Sequence, residues 1–222
     1  MNKKALHQLS YGVYVVTTLT KKNNKEVPTG CIVNSIMQIT SNPATIAVSI
    51  NQSNYTHSCI SEGKLFAVSI LSEKSNPEII GTFGFQSGKN TNKFSEISYI
   101  TKETLPIIES SCSYLICKCI KKVNVGTHTI FLGEIIDCDI LSQEKPMTYS
   151  YYHSVLKGKS PKAAPTYIEK STTQEPEISS ENVKNKYVCS ICGYVYEGEN
   201  LPDDFVCPIC KQPASAFNLQ EK

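Results

Sequence analysis

Apolar residues in this chain gather in short runs rich in β-branched and aromatic side chains, divided by polar breaks of a few residues, and that rhythm predicts strands. The runs Tyr11–Thr18, Cys31–Ile39, Ala44–Ile50, Leu65–Leu71, Ser113–Val125 and Thr129–Ile140 all have strand length. Turn signals separate them at Asn23-Asn24, Ser41-Asn42-Pro43, Glu62-Gly63-Lys64 and Val125-Gly126. Two short helices fit between strands. One opens near Thr56 and ends at Gly63; the other has Asn76 as cap and Pro77 as first residue. Regularly spaced strands with so few helices predict a mainly β fold, an antiparallel barrel over residues 1–168.

The pattern stops at residue 168. Residues 169–184 contain no aromatic residue and two aliphatic ones among Glu, Ser, Thr and Pro, the composition of a flexible linker. Sixteen such residues reach at most ~50 Å when extended. Residues 185–222 then form a second unit, too small to hold together by apolar burial alone. Its staple is legible: Cys189 and Cys192, then Cys207 and Cys210, make two Cys-x-x-Cys claws. A two-residue gap lets both thiolates of a claw converge on one ion, and two claws close a tetrahedral sulfur site suited to zinc or iron. Spacing alone favours a structural zinc ribbon.

Composition narrows the setting. With 40% hydrophobic and 19% charged residues, the 222-residue chain is that of a soluble globular protein. No secretory signal and no spanning segment are evident, which argues against a membrane protein. The other six cysteines (Cys31, Cys59, Cys112, Cys117, Cys119, Cys138) are scattered through apolar segments, as expected of reduced thiols in a cytoplasmic protein. A net charge of +2 argues against a nucleic-acid partner. There is no arginine, so a phosphate would have to be held by lysine, hydroxyls, backbone N–H groups or a helix N-terminus. Residues 1–168 carry 17 Lys against 11 acidic residues (+6), while 169–184 and 185–222 carry −2 each. That asymmetry predicts a basic mouth on the barrel that attracts the tail.

Between Glu26 and Glu62 there are thirty-five residues without Lys, Arg, Asp or Glu, although polar residues such as Asn34, Ser35, Ser49 and Asn51 interrupt the stretch. Neutral donors on a buried scaffold suit a heteroaromatic ring with a phosphate tail. From the pattern alone, barrel core plus a subunit interface is the favoured account.

The residues themselves add to this. Thr29-Gly30-Cys31-Ile32-Val33-Asn34-Ser35, Pro43-Ala44-Thr45-Ile46-Ala47-Val48-Ser49-Ile50-Asn51, Thr56-His57, Phe83-Gly84-Phe85-Gln86-Ser87-Gly88 with Lys93-Phe94, and Thr127-His128-Thr129-Ile130-Phe131-Leu132-Gly133-Glu134 resemble the flavin reductase-like family of split-barrel FMN proteins. The resemblance covers nearly all of residues 1–168. It implies a six-stranded split barrel, a homodimer, and non-covalent FMN reduced by NADH or NADPH. By the same resemblance Thr29, Asn34 and Ser35 would meet the flavin ring or ribityl chain, with Ser49 and Asn51 at the end of the next strand. Thr56 and the N–H of His57 would open a helix that holds the FMN phosphate, helped by Ser87 and Lys93. His128 is the candidate catalytic residue beside the hydride-transfer site. Tyr149, Tyr151, Tyr152 and His153 either border the same mouth or pack a dimer.

In the tail, Tyr187-Val188-Cys189-Ser190-Ile191-Cys192-Gly193-Tyr194 and Leu201-Pro202-Asp203-Asp204-Phe205-Val206-Cys207-Pro208-Ile209-Cys210 resemble rubredoxin, which implies one iron that passes single electrons. Only fourteen residues separate Cys192 from Cys207, as in the shortened tail domains of rubrerythrin-like proteins. Together the two resemblances imply an NAD(P)H:rubredoxin oxidoreductase fused to its own rubredoxin, similar to the high-molecular-weight rubredoxins of anaerobes. By family analogy its acceptor is a flavodiiron protein that reduces oxygen or nitric oxide. Two other readings stay open: a reductase of a ferric complex or of free flavin, and a non-enzymatic split barrel carrying a zinc ribbon.

Overall fold

The computed structural model describes residues 3–156, 158, 164, 166 and 185–220; the expected linker, 169–184, lies outside the described residues. Strands β1 (Tyr14–Lys22) and β2 (Lys25–Val33) form a hairpin paired from Lys22↔Lys25 to Tyr14↔Val33. Its two loop residues, Asn23 and Asn24, have φ of 50° and 60°. A two-residue turn with both φ positive matches the twist of the flanking strands, and asparagine tolerates that conformation. A second hairpin joins β3 (Ile36–Ser41) to β4 (Ala44–Asn51). The expected single strand over Cys31–Ile39 is therefore the end of β2 and the start of β3, broken at Asn34-Ser35, and β2 reaches back to Lys25 because β1 offers it a full-length partner.

Helix α1 (Tyr55–Gly63) follows. Its cap is Asn54, whose side chain accepts from the Thr56 N–H, so Thr56 is the second helical residue and not the first. At the other end Lys64 takes the left-handed conformation (φ 59°). Strand β5 (Leu65–Leu71) leads to helix α2 (Pro77–Phe85), which is capped by Asn76 with Pro77 in the first turn, as its sequence predicts. A short side hairpin, β6 (Tyr99–Lys102) and β7 (Leu105–Ile108), precedes the long strands β8 (Ser111–Val125) and β9 (His128–Ile140). Helix α3 (Tyr149–Ser154) closes this part. Neither the side hairpin nor α3 stands out in the hydrophobic pattern.

The main sheet is antiparallel with order β2-β1-β5-β8-β9-β4-β3, one strand more than the resemblance implies. Its two edges, β2 and β3, are joined by only Asn34 and Ser35. Two residues span at most ~7 Å, so the sheet must curl until its edges meet. Register shifts at Ile116/Cys117 and Cys119/Lys121 in β8 supply local bends of the kind that β-bulges give. The interior is filled by Val16, Val48, Phe66, Val68 and Phe131, all buried. A second core cluster, including Val13, Leu71, Ile80, Phe83 and Met147, seats α2 against the outside of the barrel.

The tail is a three-stranded sheet of order β11-β10-β12, from β10 (Asn185–Cys189), β11 (Val195–Gly198) and β12 (Phe217–Leu219). Tyr194, Tyr196, Phe205 and Phe217 form its aromatic core, with Phe205 5.3 Å from Phe217 and 4.7 Å from Tyr196 between ring centres. Among the described residues no helix is long and apolar enough to cross a membrane.

Gly133 in β9 sits beneath Phe66, where a Cβ would lie 2.6 Å from the Phe66 ring tip and 2.9 Å from the Cys117 Cβ. Gly133→Ala should therefore overpack the barrel and cost about 1–3 kcal/mol. Urea titration should show a lower midpoint with unchanged slope; an unchanged midpoint would mean that the barrel interior is looser than described.

Candidate functional site

The short link between β2 and β3 governs one site. Because the sheet closes there, the end of β2 lies beside the end of β4, and the Ser49 N–H donates to the Ser35 carbonyl at 3.0 Å. A cleft lies over this junction. Asn34, Ser49, Asn51 and Asn54 contribute polar groups to its wall; Ile80, Phe83, Gly84 and Phe85 of α2, with Tyr149 and Tyr152 of α3, form an apolar and aromatic side. His128 borders it directly across from Asn51 in the β4–β9 pairing, and its Nδ1 lies 2.9 Å from the Thr127 hydroxyl. Among the described residues, no lysine or acidic residue lines the cleft.

Four of the ten barrel residues singled out in sequence thus line one cleft: Asn34, Ser49, Asn51 and His128. Ser35 is adjacent, its hydroxyl donating to the Asn34 side-chain oxygen at 3.0 Å. Asn34 in turn donates to Thr166, and Thr166 to the Tyr149 hydroxyl, at 3.1 and 2.9 Å. The other five lie deeper or to the side. Thr29 is buried under the Ser87–Gly88 turn, and its hydroxyl has no partner. Thr56 is also buried, with its hydroxyl on the Cys31 thiol, which burial pushes up and which the Lys93 charge and the Thr56 bond pull down. The N–H groups of Thr56 and His57 both go to Asn54, at 2.9 and 3.0 Å. The His57 ring pairs with Thr129 at 2.9 Å and lies edge-on to Phe131; burial, then Lys122, hold its pKa below the ordinary value. Lys93 is only 4% exposed and donates to the carbonyls of Gly30 and Phe83 at 2.8 and 3.3 Å, tying β2 to α2; burial brings its pKa down to about 8. The sequence reading missed Asn54, which the Asn-x-Thr start of α1 could have revealed as a cap, and the apolar face of α2, which reads as ordinary core.

The second site is the sulfur cage. The four Sγ atoms of Cys189, Cys192, Cys207 and Cys210 all lie within 4.8 Å of one another, and all four residues are buried. The two claws are built alike. In each, the residue four places after the first cysteine, Gly193 or Lys211, turns left-handed and returns its N–H to that cysteine's carbonyl, at 2.8 and 3.0 Å. Backbone N–H groups of Ile191 and Cys192 point at the Cys189 sulfur, that of Tyr194 at Cys192 and that of Gln212 at Cys210. Burial pushes the Cys192 and Cys210 thiols up, the latter to about 11. Four buried sulfurs with amide donors aimed at them fit a single thiophilic cation, whose charge offsets that desolvation.

The two sites meet at α2. Phe85 lines the cleft and also packs against the cage cluster. Glu78 and Lys211 form an ion pair across the boundary. It runs from a tail cation to a barrel anion, the reverse of the sense that net charge predicts.

Residues 6–159 match the model of the flavin reductase like domain, and residues 187–218 match the rubrerythrin, rubredoxin-like domain. The chain belongs to the flavin reductase-like family and carries a C-terminal rubredoxin-like domain. A high molecular weight rubredoxin of Moorella thermoacetica is 41% identical over 89% of this chain and 83% of its own length. A ferric-chelate reductase (NAD(P)H) of Archaeoglobus fulgidus is 37% identical over 76% of this chain and 99% of its own. Among solved structures, a Streptomyces globisporus NADH:FAD oxidoreductase shares the fold (TM-score 0.60, 22% identity, 66% of this chain and 84% of that one). The protein is an oxidoreductase whose cofactors are a flavin and one iron in the four-cysteine cage.

Cys207→Ser removes one ligand from a unit with too little core to stand without metal. It should abolish iron content by metal analysis and leave bound flavin near the wild-type level. Loss of flavin along with iron would show that the two sites are not separable.

Proposed function

We propose that the chain takes reducing equivalents from NADH or NADPH on a non-covalent FMN in the cleft. Single electrons then pass to the iron of its own C-terminal domain and on to an external acceptor. The observation that carries this reading is a closed four-thiolate cage on the same chain as a flavin reductase barrel. A flavin, when bound, takes two electrons at once as hydride and gives them up singly, which a one-iron centre requires of its donor. The residues of the cleft serve binding and orientation. Asn34, Ser35, Ser49 and Asn51 offer neutral donors and acceptors to the ring edge and ribityl chain, and His128 borders the nicotinamide position. The phosphate end we place at the start of α1, beside Thr29 and Ser87; the Thr56 and His57 N–H groups, both taken by Asn54, would serve it only by exchanging that partner, and Lys93 fixes β2 to α2.

We assign the domains as 1–168, a linker at 169–184, and 185–222. Met37 and Ile39 on β3, Ile120 and Val123 on β8, and Ile136 and Ile140 on β9 are large apolar residues exposed on the barrel, which supports a homodimer. The absence of a spanning helix among the described residues accords with a cytoplasmic enzyme. The acceptor we favour is a redox protein such as a flavodiiron protein. A second reading rests on the Archaeoglobus fulgidus relative, which the barrel half matches over almost its whole length: direct reduction of a ferric chelate at the flavin cleft.

The Thr29 hydroxyl is buried without a partner, so Thr29→Val should leave the barrel as stable as before, or more so. FMN affinity, followed by fluorescence titration, should fall by about 1–3 kcal/mol. Unchanged affinity would remove Thr29 from the flavin site.

On anaerobic mixing with NADH or NADPH, flavin absorbance should bleach before that of the iron, and protein stripped of FMN should keep its iron ferric. Iron reduction at full rate without FMN would overturn the proposed order. Ferric-chelate reduction at full rate by Cys207→Ser protein would favour the second reading.

A further inference from the structure

We propose that the outer face of α2 is a docking platform for the iron domain, with Ile209–Lys211 of the second claw seated on Glu78 and Gly81 and with Phe85 shared by cleft and cage. The inference rests on the electron route proposed above and specifies where the two centres approach. Three observations converge on one helix. A Cβ on Gly81 would fall inside the van der Waals envelope of the Ile209 carbonyl, with the Cys210 N 3.2 Å away, and the nearest atoms it meets all belong to the tail. The Glu78 carboxylate and the Lys211 ammonium pair one turn earlier on the same helix, and Phe85 packs on the cage one turn later. The opposite face of α2 (Ile80, Phe83, Gly84) lines the cleft. The helix is thus a single layer between the two centres.

Gly81 is the telling residue. Glycine inside a helix costs about 1 kcal/mol relative to alanine, and no barrel atom is among the closest contacts of the missing Cβ. The Ile209–Cys210 backbone lies directly against Gly81 and leaves no room for a side chain there. Glu78–Lys211 is half exposed, so it fixes register more than it adds affinity. Electron balance fits a seat that opens and closes. One NAD(P)H yields two electrons and, on oxidation, a proton to solvent; two ferric-to-ferrous steps consume the electrons. Because each chain carries one iron, that iron must be reduced, discharge to the acceptor and be reduced again.

The test uses the full-length holoprotein. A zero-length carbodiimide should join Glu78 to Lys211, read by peptide mass spectrometry, and Gly81→Ala should lower the yield at least about fivefold. In anaerobic stopped flow with NADH, Gly81→Ala should keep wild-type flavin reduction, since Gly81 does not line the cleft, while iron reduction slows at least about tenfold. Glu78→Lys and Lys211→Glu should each slow the iron phase several-fold, and the double reversal should restore it. Equal cross-linking and equal iron rates in wild type and Gly81→Ala would overturn the platform, as would absence of the Glu78–Lys211 cross-link in wild type. If the cross-link forms and responds to Gly81→Ala but NADH never reduces the wild-type iron, the platform stands and the proposed electron route fails.

Discussion

Closure of the sheet through Asn34 and Ser35 is the constraint on which the rest of the barrel depends. Strands β2 and β3 are the two edges of one sheet, yet only two residues connect them. An open sheet cannot satisfy that link, so curvature is imposed covalently, and the bulges of β8 and the missing side chain of Gly133 accommodate it. The same closure sets Asn34 at the end of β2 beside Ser49 and Asn51 at the end of β4. The polar side of the cleft is therefore a by-product of how the barrel closes, and its groups are held by backbone pairing rather than by mobile side chains. That is the kind of rigid support a bound aromatic ring needs.

Electrostatics then divides the labour between two neighbouring sites. Among the described residues the cleft wall holds no charged side chain, and Lys93 is turned inward to two carbonyls of β2 and α2. In the cage the situation is inverted. Four buried sulfurs form a concentrated anionic donor set, and the amides directed at them temper its charge. Amide donors to sulfur are among the features that set the potential of an iron–sulfur site.

Much of this was legible in the sequence, and the misses share a physical cause. The two claws, the Asn23-Asn24 turn and the Asn76-Pro77 helix start are local signals, complete within a few residues. They read correctly because nothing distant alters them. Asn34, Ser49, Asn51 and His128 were legible through resemblance and come together in the cleft. The break at Asn34-Ser35 was hidden inside an apolar run because it is a consequence of sheet closure, which no local window contains. Lys93 was read as helping to hold the phosphate, but its amine donates to the carbonyls of Phe83 in α2 and Gly30 in β2, ten and sixty-three residues away along the chain. A net charge summed over 168 residues likewise says nothing about which of them line one cleft.

The contact at α2 also bears on how a fused carrier differs from a separate one. Two freely diffusing proteins need enough interface to offset the loss of translational and rotational freedom, and that requirement pushes toward large surfaces and slow release. A tail on the same chain meets its partner surface intramolecularly. It can therefore dock through a glycine seat, one half-exposed ion pair and one aromatic ring. Such a contact is weak, and weakness is useful here: a cage buried permanently against α2 could receive electrons but could not present them to another protein. On this view the covalent connection supplies the affinity, while the small interface supplies only geometry. In the docked arrangement a methyl group on Gly81 would hold the second claw away from the helix that forms the wall of the cleft.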